Sequence, residues 1–66
     1  MQNQTLKEAL NNAGYNVKDL HDRVLNYTDI KYKALWVYST YRDRSSGNPQ
    51  TWLVIDEALK DMGVGF

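Results

Sequence analysis

Helix starts and glycine stops divide this chain into short pieces, and their spacing decides what it can fold into. Thr5-Leu6-Lys7-Glu8 is a capping box, in which the Thr5 hydroxyl accepts from the Glu8 amide while Glu8 reaches back. Leu6, Ala9, Leu10 and Ala13 follow at helical spacing, and Gly14 stands where a C-terminal cap belongs, so the pattern predicts a helix over about 6–13. Asn16 and Asp19 repeat the capping logic. Behind them Val17, Leu20, Val24 and Leu25 form one stripe, with Lys18, Asp22 and Arg23 turned away. A second helix over about 17–25 is expected, with Asn26 able to take the left-handed end position. Asn48-Pro49 opens a further helix, since proline at the first helical position lacks only an N–H that would be unpaired anyway. Trp52, Ile55, Leu59 and Met62 recur at three and four, and Gly63 closes a helix over about 50–62.

Residues 28–44 have two readings. The run from Ile30 to Tyr41 is rich in β-branched and aromatic residues, which is strand composition. As a strand it would face Thr51-Trp52-Leu53-Val54-Ile55 in a hairpin at 30–55 on a two-helix base. As a helix it places Ile30, Ala34, Val37, Tyr38 and Tyr41 on one face, with Thr28 or Asp29 capping the start. The last segment decides between them. Asp56 and Glu57 would interrupt a buried strand, so 50–62 is read as helix, and an isolated strand at 30–41 would have no partner for its backbone groups. The expectation is one all-α domain over 1–66, a helix-turn-helix bundle of about four helices; the α+β hairpin fold is the alternative.

The chain is too short to be generous with its core. Sixty-six residues bury only about 60% of their unfolded surface. There is no cysteine, so neither a disulfide nor a thiolate metal site can staple the fold. A single histidine, His21, leaves no set for zinc or for a histidine-based triad, and it is read as a structural side chain. Asp56, Glu57 and Asp61 look like a solvated helix face, and the Arg42–Gly47 loop lacks phosphate-loop spacing. An enzyme is not expected, nor any cofactor or metal. A regulator or interaction module is. The polar N-terminus and the lack of a long apolar run predict no signal peptide and no membrane span, hence a cytoplasmic protein. The triplets at Asn3 and Asn26 are read as capping or turn chemistry.

The order of elements resembles the Cro and repressor-type helix-turn-helix domains of temperate phages and bacterial regulators. Leu6 to Leu10, Ala13-Gly14, Leu20, Asn48-Pro49 and the closing Ile55, Ala58, Leu59, Gly63 and Val64 carry the resemblance across nearly the whole chain. Departures go with it. His21 stands where the family has a small residue, and Asn26 where it has the turn glycine. The stretch from Gly14 to Pro49 is several residues longer than the family norm, and the last helix runs about three residues further. The resemblance implies a specialised member acting in transcription regulation in a bacterial host cell.

The neutral total hides an uneven distribution. Residues 1–30 carry three basic and four acidic groups. Lys31, Lys33, Arg42 and Arg44 oppose Asp43 alone in 31–44, and Lys60 faces Asp56, Glu57 and Asp61 in 45–66. The basic segment covers the third helix and its following loop, the parts that in the resembled family meet DNA. On a DNA-binding reading, Lys31, Lys33, Arg42 and Arg44 contact phosphates while Ser39 and Thr40 approach base edges. On a partner-binding reading, Tyr32 and Trp36 lie one turn apart on the outer face beside Lys33 and Thr40, and are of the types enriched at interface hot spots. The bland alternative rotates the helix so that Leu35 and Trp36 complete the core; Trp52 is read as core in either case.

Duplex affinity rests on phosphate neutralisation, and a neutral domain supplies little of it. The balance therefore favours an antirepressor, or modulator, that binds a partner repressor and alters its operator occupancy. DNA is then engaged directly or through that partner, and a homodimer is admitted. The alternatives are a Cro-like operator-binding repressor using the third helix and a small inhibitor or adaptor of a host enzyme.

Overall fold

The computed structural model describes residues 4–40 and 47–65. It is all-helical, with α1 over Leu6–Asn12, α2 over Val17–Val24, α3 over Tyr32–Thr40 and α4 over Pro49–Met62. No strand is present among the described residues, so the hairpin alternative at 30–55 is not the fold.

Both capping boxes form. Glu8 N donates to Thr5 Oγ1 at 3.1 Å while Thr5 N donates to Glu8 Oε1 at 2.9 Å. Asp19 N and Asn16 N make the same exchange with Asn16 Oδ1 and Asp19 Oδ2 at 2.9 and 3.0 Å. Asn48 caps α4 by accepting from Gln50 N at 2.9 Å, with Pro49 in the first turn. α1 and α4 end alike. Gly14 and Gly63 are left-handed, and the next residue's amide returns to the last turn: Tyr15 N to Leu10 O at 2.8 Å, Val64 N to Leu59 O at 2.9 Å. The second of these closures buries Val64 against the core, which is what the Gly-Val pair does here.

All four helices contribute to one core. Leu6, Leu10, Leu20, Val24, Leu35 and Ile55 are fully buried, and Ala9, Val17, Trp52, Ala58, Leu59 and Val64 complete the cluster. α2 packs against both α3 and α4, and α1 packs against α2 and α3. Trp52 is a core residue, with its ring edge-on to Tyr38 at 5.7 Å.

α3 is rotated from the expected face. Leu35 and Ser39, one turn apart, point inward; Ala34 and Tyr38 are half-buried on one flank, and Val37 is exposed. Apolar residues surround this helix, so spacing alone does not single out a buried side. Leu35 fills the central position without a polar atom. Ser39 can follow it inward because its hydroxyl donates to Trp36 O at 2.8 Å, which satisfies it inside its own helix. Tyr41, expected inward, lies outside the described residues.

The α2–α3 connection also departs from expectation. Asn26 is not left-handed, since no non-glycine described residue has positive φ. Leu25 caps α2 in the right-handed region instead, and the chain turns through Tyr27 N to Val24 O at 2.8 Å and Thr28 N to Val24 O at 3.0 Å. α3 begins at Tyr32, so residues 25–31 lie between the two helices.

Candidate interaction face on the third helix

The α2–α3 connection sets how α3 is presented. Helix-turn-helix motifs usually join their helices through three or four residues. Here a longer segment is used, and two side chains tie it down. His21 sits half-buried on α2, and its Nε2 lies 2.6 Å from Ile30 O. A carbonyl only accepts, so Nε2 carries the proton. Tyr27 donates its hydroxyl to Asp61 on α4, and this hydrogen bond, with smaller help from desolvation and the nearby acidic charge, holds the Tyr27 phenol above its ordinary value. His21 is thus a clamp on the start of α3.

The outer surface of α3 carries Tyr32, Lys33, Trp36 and Val37. Tyr32 is 45%, Trp36 43% and Val37 36% exposed, and Lys31 and Lys33 are exposed beside them. Tyr32 stands edge-on to His21, with ring centroids 5.6 Å apart. Trp36 has Lys7 Nζ of α1 over its ring, 5.9 Å from the centroid. Each aromatic is thereby held on one side by a neighbouring helix and open on the other. This cuts the entropy lost when a partner covers it. The sequence of α3 contains no carboxylate, so with Lys31 and Lys33 this face is cationic as well as aromatic.

The expected site residues divide. Tyr32, Trp36 and Lys33 come together on this face. Thr40 is half-buried at its edge, with its hydroxyl donating to Val37 O at 2.9 Å. Ser39 is a correction: it is fully buried and turned into the core, so it is not presented to a base edge. Lys31 is exposed just before α3, and Arg42 and Arg44 lie outside the described residues.

Three features escape sequence reasoning. Lys7 joins the face through a contact between helices 29 positions apart, 36 minus 7. The Tyr27–Asp61 bond links residues 34 positions apart in the chain. Leu53, read as part of an apolar run, is the most exposed large hydrophobic side chain described, at 59%. Only the last has a sequence signal, since it falls about a third of a turn away from the Trp52–Ile55–Leu59 stripe.

Among the described residues no group of three or more His, Cys, Asp or Glu could hold a metal ion. No described helix is long and apolar enough to cross a membrane. No family model, curated protein or solved structure matches this chain.

Proposed function

We propose that this chain is a phage-type transcriptional regulator that acts as a modulator, binding a partner repressor in the bacterial cytoplasm through the outer face of α3. The observation that carries the reading is the pair Tyr32 and Trp36, each nearly half exposed on a helix that also presents Lys33. Aromatics beside cations concentrate binding energy at protein interfaces. The zero formal net charge supports a protein partner over unaided duplex binding, because phosphate neutralisation has few cations to draw on.

An electrophoretic shift of operator DNA, run with a candidate repressor and with or without this protein, tests the reading. The protein alone should leave the DNA unshifted and should change the repressor's shift. Trp36→Ala should weaken that effect by about tenfold or more, the scale of a hot-spot truncation, with helical circular dichroism retained. Strong sequence-specific binding by the protein alone, lost on replacing Lys31 and Lys33 with Glu, would establish the Cro-like alternative instead.

A further inference from the structure

The face on α3 has a counterpart on the same molecule. On the outer side of α4, Leu53 is 59% exposed, and the exposed Glu57 follows it by four residues, so the two stack one turn apart. On α3, Lys33 and Val37 stack in the same way, with Trp36 beside Val37. Both faces thus pair an apolar position with a charge one turn away, about 6 Å along the axis, and the charges are opposite. The order matters. Along α4 the apolar residue precedes the charge, whereas along α3 the charge precedes the apolar residues. Laid antiparallel, Leu53 meets Trp36 and Val37 while Glu57 meets Lys33; laid parallel, Leu53 would meet a lysine.

We propose that two copies of this chain associate with α3 of one antiparallel to α4 of the other, through Lys33, Trp36 and Val37 on one side and Leu53 and Glu57 on the other. Twofold symmetry makes the contact twice, each copy giving α3 to one contact and α4 to the other. One helix pair is small against the roughly 800 Å² per partner of a standard interface. The pair therefore forms at high concentration and leaves monomers when dilute. The inference does not rest on the functional reading above. It adds to that reading one consequence: self-association covers the face that a repressor would need.

Sedimentation velocity of the wild-type chain from about 10 μM to about 1 mM should show a monomer–dimer equilibrium, weakened at high salt as its ion pairs are screened. Leu53→Gln, Lys33→Glu and Glu57→Lys should each raise the dissociation constant by about tenfold, since every change acts in both contacts. The double variant Lys33→Glu/Glu57→Lys restores opposite charges and should recover most of the loss. All three positions are exposed, and circular dichroism checks that the helices persist. A monomer at every concentration would overturn the proposal. So would a dimer indifferent to Leu53→Gln, or charge reversals that the double variant does not rescue. Failure here would leave a repressor shift by the protein unaffected, and the two readings fail separately.

Discussion

The Tyr38 ring lies against the backbone of Gly47, and its hydroxyl accepts from Asn48 N at 3.3 Å. This joins the half-buried side of α3 to the residue that caps α4. Gly47 is left-handed at φ +75°, and a Cβ placed on it would stand 2.7 Å from Tyr38 Cζ. Gly14 is equally left-handed at φ +87° but has nothing within 4 Å of a Cβ. Gly14→Ala should cost only the backbone term, about 1–2 kcal/mol. Gly47→Ala should cost that plus the displacement of Tyr38, roughly 1–3 kcal/mol more. Urea unfolding of the two variants measures the difference, and equal losses would mean that the ring moves aside freely.

His21 joins α2 to the segment that presents α3. His21→Ala removes the bond to Ile30 O and the edge contact with Tyr32, leaving a half-buried carbonyl unpaired. A loss of about 1–3 kcal/mol is expected. Nitrogen chemical shifts of the ring should show a proton on Nε2. An Nε2 without a proton would contradict the bond.

The Tyr27–Asp61 bond makes stability depend on alkaline pH. The carboxylate accepts from the phenol, so the folded state holds that proton more tightly than the unfolded state, whose tyrosine titrates near 10.0. The contribution is complete below that value and falls away as pH rises from it through the higher folded value. Tyr27→Phe should abolish this component. Melting temperatures of wild type and variant should therefore differ by a constant amount from neutral pH to about 9 and converge above 10, with phenolate absorbance reporting the ionisation.

What was legible in the sequence follows the range of the interactions. Thr5 with Glu8, Asn16 with Asp19, and Asn48 with Pro49 are local signals whose partners lie within three residues, and each marks its helix. A strand at 30–41 has no partner for its backbone groups, and the segment forms α3. Its rotation was not legible, because Leu35, Val37 and Tyr38 offer rival apolar faces and only α1, α2 and α4 select among them. Asn26 misleads for a related reason: a residue able to be left-handed need not be so when the chain runs on through a longer turn. Helical spacing alone places Tyr32 and Trp36 on an outer face, whereas Lys7 joins them only through the packing of α1 beside α3.

Ser39 separates the two uses of α3 that the sequence allowed. A residue near base edges should be intolerant of change in binding and tolerant in folding, and its place in the core reverses both expectations. Ser39→Ala keeps the small volume, removes a hydroxyl bonded within its own helix, and introduces the best helix former. Stability should stay within about 1 kcal/mol of wild type, and any effect on a repressor should be unchanged. Ser39→Leu instead forces three extra carbons into a position with no exposed surface, next to Leu35 one turn away. It should cost roughly 1–3 kcal/mol or more by overpacking. Thermal melting of the two variants beside Val37→Ser, a change on the outer face expected to cost well under about 1 kcal/mol, fixes the rotation of α3. A Val37→Ser loss exceeding that of Ser39→Leu would place Val37 in the core and overturn the face assigned here to Tyr32, Lys33 and Trp36.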